Sequence, residues 1–402
     1  MRRAFSTVAW AALAVLVGAR PVIAQSSNFS PNSVDRPAVP VAGWIFTPTM
    51  VYSTSWDDNV LVRGTGDERG SDALQVVNPR ASVEYAGRRG EMNLSYDGSF
   101  LRYREFDALD SYDQHGAISA RRLVSPHVAL FVRDTAALVP TTELVQFVGV
   151  PFARTGSAIE DLRGGIEAAF SRRASIVASY NFQWVRFDEQ EIAANLRGGH
   201  SHGGAFELRY LLTKRTTFTT DYDLQHAAVA DGAEIFTVQN TAVGLDQRLS
   251  PSTHVFGSIG IARLDVSTLG PARTGPAWRT GLRHQRRSAD VELVYSRSFV
   301  PSYGFGGTLQ NEEATARLHI PLTRHLYTQD AVSWRRDQGL TDIDLDLRSW
   351  WIETAIGYRW RPWLSLETFY AGTHQSISRP GGAVDRNRVG FQIITTNPLR
   401  VR

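Results

Sequence analysis

The chain has 402 residues, no cysteine and a formal net charge of +3, which excludes a disulfide framework and thiolate chemistry. Setting aside Arg2, Arg3 and Arg20, it carries forty basic and forty acidic residues, so it has no electrostatic footprint for nucleic acid. Beyond the first two dozen residues no run of about 18 apolar residues occurs, and no later helix is expected to span a bilayer.

Met1-Arg2-Arg3, the apolar run from Val8 to Val17 and the stretch Val22-Ile23-Ala24 predict a secretory signal over residues 1–24, cleaved after Ala24. Residues 25–43, with Pro31, Pro37 and Pro40, show no periodicity and predict a flexible periplasmic segment. From residue 44 to 397, about eighteen stretches alternate apolar with polar residues, the signature of an all-β, up-and-down antiparallel transmembrane barrel. The first strand starts near Trp44 and ends in the turn-forming Asp57-Asp58-Asn59.

Eight tight connections follow, at Gly87 to Gly90, Arg121 to Pro126, Ser171 to Arg173, Thr213 to Arg215, Ser250 to Ser252, Gln285 to Ser288, Pro321 to His325 and Arg361-Pro362. Nine longer links alternate with them, near 56–72, 105–112, 140–156, 187–199, 229–234, 267–277, 301–307, 337–346 and 376–386. Nine outer loops and eight inner turns connect eighteen strands with both termini on the periplasmic side. Residues 398–402 are left as a tail. The link 140–156 is unusually apolar, with Leu144, Val145, Phe147, Val148 and Val150. Around Phe236 to Leu245 the apolar phase changes face, which predicts a bulge or a misplaced boundary.

The clearest strand runs from Trp350 to Trp360, with Trp350, Ile352, Thr354, Ile356, Tyr358 and Trp360 on one face and Glu353 and Arg359 on the other. The two tryptophans would stand roughly 25 Å apart along the membrane normal, the height of an apolar band. Trp44, Trp184, Trp278, Trp350 and Trp360 are therefore the candidate aromatic girdles. A soluble sandwich or propeller also alternates, but it accounts for neither the leader nor the strict exchange of short and long links, and no blade repeat is present.

The opposite parity predicts an inward wall of both signs: Arg80, Glu84, Asp97, Arg163, Glu167, Glu207, Arg209, Asp221, Asp223, Arg279, Arg283, Glu292, Glu313, Arg317, Glu353, Arg359, Glu367 and Arg388. Such a wall either sets the field of a hydrated channel or pairs across strands and stiffens a wet interior. His200-Ser201-His202 offers two imidazoles without a third ligand at metal-like spacing, and Asp57-Asp58-Asn59 with Asp67 or Glu68 lacks the calcium-loop pattern, so no metal is assigned. No Gly-x-Ser-x-Gly elbow occurs, and no histidine is paired recognisably with Ser or Asp. No catalytic residue and no cofactor are expected.

The segment Tyr52 to Val60, and within it Trp56-Asp57-Asp58-Asn59, resembles the end of the first strand in outer-membrane proteins known as the second β-barrel porin family. The hairpin layout over about 44–397 is similar as well. The resemblance implies an outer-membrane barrel associated with exopolysaccharide export, with polysaccharide and periplasmic export components as partners. It transfers no catalytic residue. The wall is not dominated by arginine, a departure from a polyanion conduit. Arg388 to Thr395 looks partly like an assembly signal for the barrel-assembly machinery, although no terminal aromatic follows. The expectation is a passive or partner-gated path for a hydrophilic solute, exopolysaccharide first. Its alternatives are a general diffusion porin and a non-conducting surface barrel that binds glycans through its outer loops.

Overall fold

The computed structural model describes residues 43–401 apart from 65–68, 142–151, 153, 189–195, 231, 233, 267–271, 287, 305–306, 341–344 and 379–381. The expected signal, nearly all of the 25–43 segment, and Leu144 to Val150 lie outside the described residues.

The long strands follow one another as β1 Gly43–Asp57, β2 Asp72–Ala86, β3 Gly90–Tyr103, β4 Ser111–Ser125, β5 Val128–Val139, β6 Ser157–Ala169, β7 Ala174–Phe187, β8 Gly199–Thr213 and β9 Thr216–Val229. The second half comprises β10 Glu234–Ser250, β11 Thr253–Val266, β12 Arg273–Arg286, β13 Ala289–Pro301, β14 Thr308–Pro321, β15 Leu326–Gly339, β16 Asp346–Arg361, β17 Leu364–Ile377 and β18 Ala383–Thr396. Each pairs antiparallel with the next, and β1 pairs with β18 from Thr49↔Thr396 to Asp57↔Arg388. The result is a closed 18-strand antiparallel β-barrel.

The tail assigned to 398–402 is corrected by a short β19, Leu399–Val401, which continues β18 along β1 as Phe46↔Leu399 and Trp44↔Val401. Pro398 carries no N–H for the ladder, so the last strand is interrupted there and resumes one residue later.

Two media explain the alternation. Tyr52, Trp56, Tyr180, Ile259, Ile261, Ile356 and Tyr358 are exposed on the outside, where only an apolar solvent suits them. Their sequence neighbours point inward, so a one-residue slip would move every charge to the apolar face.

The inner turns have a shared chemistry. The hydroxyls of Ser125, Ser171, Thr213, Ser250 and Thr323 each accept a hydrogen bond from the backbone N–H two residues on, at 3.1–3.2 Å, which stabilises the reversal locally. Beside four of the inner turns the strand carries one extra residue: Val124, Leu212, Leu249 or Trp360. All four are exposed and outward, giving the inner rim an apolar collar.

The phase change at Phe236 to Leu245 is not a bulge. β10 pairs without a register shift from Phe236 to Arg248. Its outer end instead carries apolar residues on the inward face, and Phe236 and Val238 join Val185, Ala227, Val229, Ala262, Leu264 and Ala277 in a buried cluster inside the barrel. Gly275 leaves room for this packing, since a Cβ there would lie 2.6 Å from Phe299 Cζ.

Candidate functional site: the barrel interior

The pairing register places all eighteen charged wall candidates on the face opposite the exposed apolar side chains. For example, Arg80 pairs with Thr49 and Asp97, Glu207 with Val177, and Arg317 with Glu292, all of inward parity. Trp44, Trp350 and Trp360 are exposed outside, and Trp184 and Trp278 share their outward parity. Trp44 and Trp360 stand near the inner ends of their strands and Trp184 and Trp350 nearer the outer ends, whereas Trp278, directly opposite Ile259, stands at mid-strand and away from either girdle level. Trp56, Trp334 and Trp363 are also exposed; none of the three is among the girdle residues expected from sequence, where Trp56 belongs to the family-like motif.

Much of the interior charge is spent within the wall. Arg80 Nε lies 2.8 Å from Asp97, Arg121 3.2 Å from Glu167, Arg335 3.4 Å from Glu313, and Arg317 3.5 Å from Glu292. Arg209 holds Glu207 with both Nε and Nη2 at 2.6 Å, a fork that orders both side chains. Glu367 accepts from Tyr327 and Gln392. Arg283, by contrast, has neither a hydrogen bond nor an ion pair among the described residues, and Arg388 makes no side-chain hydrogen bond there.

Arg388 and Arg80 line a 130 Å³ cavity with Asp113, Glu353, Ser55 and Gln392. Arg388→Gln removes a unit charge worth on the order of 1 kcal/mol to an ion about 4 Å away in water. Cation over anion permeability should therefore rise by up to about five-fold, read as a shift of reversal potential in a salt gradient.

Sequence reasoning missed the groups that narrow the outer mouth. In the link after β5, the backbone N–H of Phe152 donates to Gln375 Oε1 at 2.8 Å, on β17, six strands away around the ring. Arg154 donates to Tyr103 Oη at 2.9 Å and to the Leu109 carbonyl at 2.7 Å. Arg197 N–H reaches the Gly304 carbonyl at 2.8 Å, joining the links that follow β7 and β13. Tyr303 is 2% exposed and packs in the apolar cluster. Its hydroxyl donates to Ser201 at 2.7 Å, ending a ladder in which Gln225 donates to Ser201 and Gln183, and Gln183 donates to Asp161. Burial pushes the Tyr303 hydroxyl above the ordinary phenol range, so it stays a neutral donor.

Truncating Tyr303 to alanine removes an aromatic of the kind that contributes roughly 3–5 kcal/mol of packing. The loop segment should leave the mouth, and single-channel conductance should rise. Tyr303→Phe, which keeps the ring, should change it much less.

The motif residues serve the seam between first and last strands. Asp57 and Arg386 are fully buried and joined through both carboxylate oxygens, with Nε at 3.1 and 2.9 Å. Asp58 accepts from Asn387 N–H at 2.6 Å and from Asn387 Nδ2 at 2.7 Å. Asn59 Nδ2 donates to the Arg63 and Asp385 carbonyls at 2.8 and 2.7 Å, while Trp56 points outward. The carboxylates considered for calcium are thus engaged by Arg386 and Asn387, and Asp67 and Glu68 lie outside the described residues. His200 and His202 are exposed rather than inside the barrel.

No family model matches the chain, and no curated protein is similar to it. Solved structures are similar in outline. OccAB4 of Acinetobacter baumannii shares 8% identity over 92% of this chain and 100% of its own, with a TM-score of 0.47. OccAB3 of the same organism shares 13% identity over 89% and 99%, with a TM-score of 0.43. The outer membrane protein OpdK of Pseudomonas aeruginosa shares 10% identity over 89% and 99%, with a TM-score of 0.44. At these values no solute is carried over from them, and the barrel rests on its own strand pairing.

Proposed function

We propose that this barrel sits in a bacterial outer membrane and gives small hydrophilic solutes a passive path, with no catalytic step. The observation that carries the reading is the division of the two faces: apolar and aromatic side chains outside, charges of both signs inside around a polar cavity. The wall candidates comprise eight arginines and ten carboxylates, and Arg80, Arg209 and Arg317 are each bound to a carboxylate, which gives little reason for a polyanion to be drawn through. Contacts that cross the mouth from Phe152, Arg197 and Tyr303 favour a small solute over an exopolysaccharide chain. The lipid of the membrane and the barrel-assembly machinery are the partners this reading requires.

Swelling of liposomes that contain the refolded barrel tests it. Mono- and disaccharides should swell them, and longer oligosaccharides should not. Swelling with the longer chains as fast as with the short ones would restore the polymer reading. A glycan-binding surface barrel would give no swelling at all.

A further inference from the structure

We propose that His202 and His226 form a binding site for a divalent transition-metal ion of the Zn²⁺, Ni²⁺ or Cu²⁺ class on the outside of the barrel, near its outer rim. They stand directly opposite each other on β8 and β9. Both are exposed and outward, and each is the fourth residue from the outer end of its strand, as Trp184 is on the neighbouring β7. That level is the membrane–water interface, where a hydrated ion has access.

The geometry suits one shared ion. With metal–nitrogen bonds of about 2.0–2.1 Å, two imidazoles at a tetrahedral angle place their ring centroids roughly 5.2 Å apart. The rings of His202 and His226 have centroids 5.4 Å apart and are inclined at 59°. His226 is also oriented from behind. Its Nδ1 lies 3.1 Å from Thr237 Oγ1, on the neighbouring β10 and across from His202. That contact leaves Nε2 on the His202 side, the arrangement in which an outer partner fixes a ligand's tautomer and angle. Both rings stand on strands of a closed barrel, so little ordering cost is left for binding.

Structural duties do not account for the pair. His115, His254 and His374 each have a carboxylate within 4 Å, namely Asp113, Asp246 and Asp385. No carboxylate stands in ion-pair range of His202 or His226 among the described residues, and His202 makes no hydrogen bond there. No third His, Cys, Asp or Glu completes a metal-binding group among the described residues. Two protein ligands therefore leave the other positions to water, giving an exchangeable site in place of a structural one.

Titration of Cu²⁺ into the untagged, refolded barrel, followed by electron paramagnetic resonance and calorimetry, tests the assignment. One ion per barrel should bind with two imidazole nitrogens in its spectrum. His202→Ala should remove one nitrogen and weaken binding at least ten-fold, and Thr237→Val should weaken it about ten-fold through ring orientation. His200→Ala should leave the affinity within about three-fold. If His226→Ala fails to fold, His202→Gln supplies the comparison. An unchanged spectrum and affinity in the His202 variants, or no binding by the folded wild type, would overturn the proposal.

Discussion

Replacing Arg386 with methionine should destabilise the folded barrel by about 3–5 kcal/mol, because it leaves a carboxylate buried without its counter-charge. Asp57 is 0% exposed and the side chain of Arg386 4%, so neither is screened by solvent. The pair also has a topological position that a typical ion pair lacks. It connects residues 329 apart in sequence, at the outer end of the seam where β1 meets β18. Asp58 with Asn387 and Asn59 with the Asp385 carbonyl brace the same seam, so loss of Arg386 loosens the one junction no hairpin supports. Urea titration of the barrel in lipid, read by tryptophan fluorescence, measures the change. The double substitution Asp57→Leu with Arg386→Met removes both charges and should recover much of the loss. A single variant within 1 kcal/mol of wild type would show that the seam is held by the backbone ladder alone.

Arginine at Ile259 should cost about 2–4 kcal/mol in a bilayer, the range for a cation on the lipid face at mid-depth. Ile259 is 70% exposed and is the seventh of the fourteen residues of β11, midway between the rims. Arginine at Ser258, one residue away and inward, meets water and should cost far less. The contrast separates the two media, because the strand and the introduced arginine are the same and the depth differs by a single residue. It is read from unfolding in lipid vesicles. Equal costs at the two positions would mean that the outer face is not in contact with lipid.

Alternation made the strands legible, since a barrel wall between two media imposes period two on every strand. The stretch from Trp350 to Trp360 carries that period in full, and the inward parity of residues such as Arg80, Glu207 and Glu367 follows from counting alone. Long-range closure was not legible. Asp57-Asp58-Asn59 reads as turn chemistry, and nothing local points to Arg386 or Asn387 as partners. Phe236 and Val238 misled for a different reason. An apolar inward residue and a register slip look the same in one sequence, and only the pairing with β9 and β11 separates them. Tyr303, in a short link, and His226, remote from His202 in sequence, acquire meaning only through the shape of the barrel. Residues 398–402 read as a tail because three residues are too few to show a period, whereas the chain regains its place beside Trp44 and Phe46 directly after Pro398.

Single-channel recording of the refolded barrel in a planar bilayer tests the central claim most directly. Stable, discrete conductance steps are predicted, enlarged by Tyr303→Ala and shifted toward cations by Arg388→Gln. A barrel shown to be folded and inserted that passes no current, in wild type and in Tyr303→Ala alike, would contradict the open path.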